Sequence, residues 1–418
     1  MRPLAMCGLS IVGVFLAKTA DNTTTLARFV PEIGPGSLET LLSIISTSML
    51  VIATFAVASM VSAYASASST ATPRSFSLVI ADDVSQNALS IFIGAFIFSV
   101  VALVAIKNGY YDTAGRFALF ALTLSVFAIV IVTFVRWVDG IARLGRLGAT
   151  IDKVEAATAE ALQRRRCAPT LGGVPPGPRR DRGQAIYGDS IGYVQRVDVT
   201  ALQTYAKQSR VRITVEALPG TFAAPGRALA YVTADSGDLS AIETSQIVQG
   251  FLIGDDRLFD EDPRFGLIVL SEIASRALSP AVNDPGTAID IIGTYVRLFA
   301  RWSEPRKEGD IHTAACDRVE VPAISVRDMF DDAFTAIARD GAGTIEVAVR
   351  LQKALRSLAL VGDAAMRDAA MHHARLALAR AEMALELTED VAVVRDAARF
   401  AETRGSLETQ REIPVNQR

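Results

Sequence analysis

Three stretches of this sequence, Leu41–Tyr64, Ala88–Ile106 and Phe117–Val135, contain no Asp, Glu, Lys, Arg or His. Roughly 18 such residues, rising 1.5 Å each, span a hydrocarbon core about 30 Å thick. Lipid offers a peptide amide no partner, so each stretch must satisfy its own hydrogen bonds as a helix. The expected fold is a membrane α-helical bundle with three or four transmembrane helices, followed by an α+β part. The fourth candidate is Leu4–Ala17, an apolar run between Arg2 and Lys18. A short first membrane helix is the preferred reading. The alternative is a signal peptide cut near Ala20, a poor site because Lys18 falls at its −3 position.

Charge gives the expected orientation. Arg136, Arg143, Arg146, Lys153 and Arg164–Arg166 follow the last span, whereas the loops Lys18–Thr40 and Lys107–Arg116 hold few cations. The positive-inside rule places everything after Val135 in the cytoplasm. The formal net charge of −3 leaves no basic excess for nucleic acid. Cys7, Cys167 and Cys316 lie far apart, and the three histidines are His312, His372 and His373. Neither set makes a disulfide framework, and no metal site, catalytic residues or cofactor is expected from them.

The first long span carries Ser43, Thr47, Thr54, Ala58 and Ser62 at spacings of four and seven. Such a face allows close helix packing, the preferred reading, or could line a hydrated path. In the loop Ala65–Asn87, Pro73 ends the preceding helix. Asp82 and Asp83 stand where the next helix begins, favourable for its N-terminal dipole. Beside that capping role stands a polar cluster of Arg74, Asp82 and Gln86 at the inner mouth of the bundle.

The sequence divides into a bundle (1–136), a juxtamembrane helix with a Pro/Gly-rich linker (137–183), a small β module (184–240), a helical domain (241–404) and a flexible tail (405–418). Ile141, Leu144, Leu147, Ile151 and Val154 predict one helix over Arg136–Arg166. In the β module, Ala185–Val194, Val211–Ala217 and Ala228–Val232 read as strands, Asp198–Gln208 as a helix, and Pro219–Phe222 and Ala224–Gly226 as turns. The stretch Pro219–Val232 resembles a barrel–sandwich-hybrid hairpin without the turn lysine of a lipoyl or biotin carrier, so a β-barrel-like module is expected. Helices are predicted at Ser245–Gly254, Phe265–Ala277, Thr287–Trp302, Val326–Arg339, Thr344–Leu360, Ala364–Leu387 and Asp390–Thr403.

The densest polar motif is the elbow around Ser279-Pro280-Ala281-Val282-Asn283-Asp284-Pro285-Gly286-Thr287. Asn283 or Asp284 can cap the following helix, and Glu272 can pair with Arg276 one turn on. A rigid capped elbow is the preferred reading. The functional reading is a ligand or ion site formed by Arg276, Ser279, Asn283, Asp284 and Thr287 beside a helix N-terminus. The upstream carboxylates Asp255, Asp256, Asp260, Glu261 and Asp262 read as a solvated surface that could contribute to such a site.

Together these stretches resemble the bacterial predicted membrane proteins of "domain of unknown function 2254". The resemblance rests on the Ser/Thr-rich span, Thr72-Pro73-Arg74, Asp83–Phe96 with Gln86, the RALSPAVNDPGTA elbow and Ala333–Leu360, and covers about Leu38 to Ala381. Thr72 stands where the family has serine, and the first apolar run is shorter than the family's usual first helix. The resemblance implies membrane topology and no reaction.

The expected function is an oligomeric, channel-like or transport-related assembly in the lipid bilayer. In it Ser43, Thr47, Thr54 and Ser62 line the path of a small solute or ion, and the cytoplasmic part gates it. The alternative is a non-conducting sensor or scaffold whose elbow binds a ligand or partner. An enzyme using Arg74, Asp82, Asn283 and Asp284 ranks third, for want of a usable histidine or metal set.

Overall fold

The computed structural model describes residues 2–19, 34–70, 72–75, 78, 83–144, 146–177, 183–235, 237, 239, 242–305 and 315–401. Contacts divide the chain into two units, Met1–Thr150 and Ile151–Arg418.

In the first unit the uncharged runs are helices: α1 (Arg2–Lys18), α2 (Pro35–Thr70), α3 (Asp83–Lys107) and α4 (Thr113–Leu144). Gly36–Ser66, Val84–Lys107 and Thr113–Ile141 are long and apolar enough to cross a membrane, whereas Leu4–Lys18 is apolar but shorter. Helix α3 is central, packing against α1, α2 and α4. Its Phe92 meets the buried Trp137 indole edge-on, 6.1 Å between centroids. The outward faces are apolar too: Ile44, Val51, Phe55, Val61, Ile129, Val132 and Val135 are exposed. Water would penalise faces this large, whereas hydrocarbon does not. Helix α1 is tied in by the Tyr111 hydroxyl, which donates to Val14 O at 2.6 Å. Gly94 permits its approach, since a Cβ there would lie 3.3 Å from Met6 Cβ.

The single helix expected over Arg136–Arg166 is two, because α4 ends at Leu144 and α5 runs Leu147–Cys167. Gly148, a weak helix former, is the second residue after the break.

The second unit is mixed α/β, and its strands form two open sheets rather than a closed barrel. Strands β1 (Gly173–Val174), β2 (Gln184–Tyr187), β4 (Val211–Val215), β6 (Ala228–Ala234) and β8 (Cys316–Glu320) make a five-stranded sheet in the order β1-β8-β4-β6-β2. Strands β5 (Phe222–Ala223), β3 (Gly192–Val197) and β7 (Phe251–Gly254) make the other, in the order β5-β3-β7. Closure fails for two reasons. The expected strand Ala185–Val194 breaks at Gly188–Ile191, sending β3 to a different sheet from β2. The sequence-distant β8 then pairs parallel with β4, leaving β1 and β2 as free edges. Helix α6 (Val199–Gln208) covers the sheet core of Ile186, Ile213, Val215, Leu229, Val232 and Val319. The helix expected at Ser245–Gly254 is one short helix, α7 (Thr244–Val248), followed by β7. Phe251, Leu252 and Ile253 extend there because β3 offers a ladder partner.

The remaining helices lie close to expectation: α8 (Pro263–Ala277), α9 (Pro285–Ser303), α10 (Val326–Asp340), α11 (Ile345–Val361), α12 (Ala364–Ala384) and α13 (Thr388–Ala398). Phe299 of α9 and Phe330 of α10 pack at 4.5 Å between centroids, and the Tyr295 hydroxyl donates to Leu267 O at 2.8 Å. Gly266 of α8 faces Thr158 of α5 so closely that a Cβ would fall 1.9 Å from Thr158 Oγ1. Gly266→Val should therefore destabilise by about 1–3 kcal/mol, lowering Tm by about 5 °C. Gly293→Ala, whose Cβ would meet nothing nearer than 3.8 Å, is the control. Differential scanning calorimetry of the detergent-solubilised chain measures both.

His373 of α12 is buried, with Nε2 2.9 Å from Asp331 Oδ1 of α10. Burial outweighs the attraction of Asp331 and lowers its pKa from 6.5 to about 4. The unfolded chain therefore takes up the proton first as pH falls, so this stability is complete above about pH 6.5 and lost towards pH 4. We expect about 3 kcal/mol of acid destabilisation from this one group, absent in His373→Phe. Unfolding curves across that window test it.

Candidate functional site

The second unit holds a polar cleft of about 640 Å³, walled by the β5 and β6 turns on one side and by α8 and α10 on the other. Buried behind its lining residues Gly220 and Arg257 is Asp262-Pro263, a cap followed by proline at the first helical position. Asp262 accepts the Phe265 amide at 3.3 Å, and Arg257 grips the same carboxylate through Nε at 2.7 Å and Nη2 at 2.6 Å. Burial pushes the Asp262 carboxyl above its ordinary value, and the Arg257 guanidinium opposes that shift. The Pro219-Gly220 turn sits on this pair. Gly220 has φ +90°, and a Cβ would lie 2.2 Å from Asp262 Oδ2, so only glycine fits.

Arg264, the second residue of α8, binds Asp332 through two bonds of 2.6 and 3.2 Å and Asp328 through a third of 3.0 Å. Both carboxylates lie on one side of α10, four residues apart. Burial also raises the Asp332 carboxyl, against the pull of Arg264. Ser325 caps α10 at the rim, accepting the Asp328 amide at 3.2 Å. Beyond the Asp262 side chain lies Arg165, 4% exposed, whose three guanidinium nitrogens have no hydrogen-bond partner among the described residues. Burial lowers its pKa to about 10, and the charges of Glu261 and Asp262 oppose the fall.

The elbow residues lie outside the cleft lining. Asp284 caps α9, accepting the Thr287 amide at 3.1 Å and its hydroxyl at 2.6 Å, and these bonds hold its carboxyl below the usual value. Asn283 is exposed at φ +49°, and its amide donates to Ser279 O at 2.8 Å. The Ser279 hydroxyl donates to Arg276 O at 2.7 Å, and the Arg276 side chain is exposed. The structure thus joins Asp284 to Thr287 by side chains, while Ser279 reaches Arg276 O by its hydroxyl and meets Asn283 through the main chain.

Arg74 lies exposed in the one-turn helix Pro73–Ser75, and Gln86 is exposed on α3. Asp82 lies outside the described residues. Ser43, Thr47, Thr54 and Ser62 are all exposed, on the side of α2 away from Ile45, Met49, Ala53 and Met60. Thr47 and Thr54 donate back to Ser43 O and Val51 O at 3.0 and 2.8 Å. Among the described residues no group of three His, Cys, Asp or Glu side chains is placed to hold a metal ion.

Sequence reasoning passed over Arg257, Arg264, Asp328 and Asp332. Two signals were present: the Asp262-Pro263 cap, and the four-residue spacing of Asp328 and Asp332 beside the buried Met329, Phe330, Ala333 and Phe334.

The family model of the predicted membrane proteins DUF2254 matches residues 1–357. The chain belongs to this family. The family match includes both the uncharged helices and the whole cleft. Uncharacterized proteins of Mycobacterium tuberculosis and Mycobacterium bovis are 35% identical over 122 residues, 28% of this chain and 23% of theirs. The chain thus spans under a quarter of the length of the curated relatives it matches. No solved structure matches it.

For this family member, removing Arg264 tests how the cleft is held. Arg264→Met strands the half-buried Asp332, and we expect a loss of about 2 kcal/mol at neutral pH. The variant should recover stability as pH falls, because the folded state then binds the proton that a solvated carboxylate releases. Thermal unfolding at two pH values measures both effects.

Proposed function

We propose that this chain is a multi-pass protein of the bacterial inner membrane whose portion from Ile151 onward lies in the cytoplasm and binds a small polar ligand in the cleft. The observation that carries the reading is the cleft itself. It has the volume of a small-molecule site, and its Arg257, Arg264, Asp328 and Asp332 are already fixed by ion pairs. The cations that follow the last span support the orientation, and the apolar outward faces of α2 and α4 support lipid as their surroundings. In this reading the helices anchor the binding portion. Hydrogen–deuterium exchange of the full chain in nanodiscs, with and without a bacterial small-molecule extract, tests it. Slower exchange over residues 216–228 and 323–332 is expected, and unchanged exchange there would remove the cleft from consideration.

A second reading has its own observation. The hydroxyls of Ser43, Thr47, Thr54 and Ser62 face away from the other helices of their own chain, so a path lined by them could close only between copies. That arrangement would be a homo-oligomeric, channel-like assembly gated by the cytoplasmic portion. Ion and small-solute flux into liposomes should then exceed background and fall on replacing Ser43, Thr47 and Thr54 by alanine. Background flux from the unaltered chain, with a monomer by light scattering, would leave the anchor reading alone.

A further inference from the structure

We infer that the cleft takes a small amino-acid-like zwitterion, its ammonium end on Asp328 and its carboxylate end on Arg227 and Arg257. The inference rests on the reading of the cleft as a binding site and follows from the hydrogen-bonding capacity its walls have left. Each guanidinium nitrogen of Arg264 makes one bond to Asp328 or Asp332, and Asp332 uses both of its oxygens on Arg264. Asp262 is likewise spent, one oxygen on Arg257 and the other on the Phe265 amide. Besides Glu216, three charged groups of the lining keep an atom with no hydrogen bond among the described residues. Asp328 gives only Oδ2 to Arg264, leaving Oδ1 on a side chain that is 48% exposed. Arg257 donates through Nε and Nη2, leaving Nη1. Arg227, in the turn before β6, has no side-chain bond or ion pair among the described residues, and it lines the cleft.

The unused acceptor thus belongs to α10, and one unused guanidinium to the turn opposite it. A simple anion would gain Arg227 and meet Asp328 as a like charge. A simple cation would gain Asp328 and meet Arg227 in the same way. Only a ligand carrying both charges satisfies both walls, and charge-assisted bonds at its two ends make length the selective variable. Phe222, Ile268 and Ile324 also line the cleft and give methylenes between the two ends an apolar surface.

Isothermal titration of the full chain in nanodiscs with glycine, 4-aminobutyrate and 6-aminohexanoate tests this, with butyrate and butylammonium as single-charge probes. One of the amino acids should bind at least about tenfold more tightly than either single-charge probe. Asp328→Asn, which keeps an acceptor for Arg264, should reduce that amino acid to the affinity of butyrate. Arg227→Met should weaken it while butylammonium binds no less tightly. A single-charge probe that matches the best amino acid, or an unchanged affinity in Asp328→Asn, would overturn the inference. If every amino acid is silent while the small-molecule extract still slows exchange in the cleft, the ligand class is wrong and the site stands. If the extract has no effect either, the site reading itself fails.

Discussion

An amide in hydrocarbon can bond only to its own chain, and that constraint fixes the first unit before any side chain is considered. Once α2, α3 and α4 must be helices, the remaining question is which faces they share. The inward faces answer it with size and shape. Phe92, Trp137 and Met49 fill the space around α3, while Gly94 and Ala95 let α1 and α2 come close. The outward faces are as apolar as the inward ones, so burial in water cannot be what sorts them. Packing complementarity and van der Waals contact decide the arrangement, as they must where the surroundings are as apolar as the interior.

The second unit depends on a different economy, the pairing of buried charge. Asp262 is almost inaccessible, and it is tolerated because it does two jobs at once: it caps α8 and it neutralises Arg257. Glycine at position 220 follows from that pairing, since the turn of the sheet region rests directly on the carboxylate. Arg264 then repeats the device between α8 and α10, joined to two carboxylates at once. Truncating one partner in such a chain leaves a buried charge behind, so the walls of the cleft resist gradual deformation. A cleft held this way is preorganised, and two of the residues that hold it, Asp328 and Arg257, keep an atom free for a ligand.

Legibility in the sequence followed the range of the interaction. The long helices were readable because the absence of charge over nineteen or more consecutive residues is a local fact. The Asp284 cap is local too, bonding within three residues of itself. The open sheet was hidden because β8 reaches its partner β4 across about a hundred residues, and nothing in CDRVE announces that pairing. The cleft was hidden for the same reason. Arg264 meets Asp332 across 68 positions, and only the fold makes Asp262 a buried anion rather than the end of a solvated acidic run.

The exposed hydroxyls of α2 show where local reasoning needs the chain's own geometry to finish it. Spacings of four and seven put Ser43, Thr47, Thr54 and Ser62 on one side of a helix, and the structure directs that side outward. Thr47 and Thr54 satisfy their donors on the preceding turn, so neither requires a partner helix or water to remain in lipid. A stripe that is self-satisfied can face acyl chains, a second copy or a hydrated path at nearly equal cost. The charged cleft has no such latitude. Asp328 and Arg257 are held by their own ion pairs, so the bonding capacity each keeps is fixed in place.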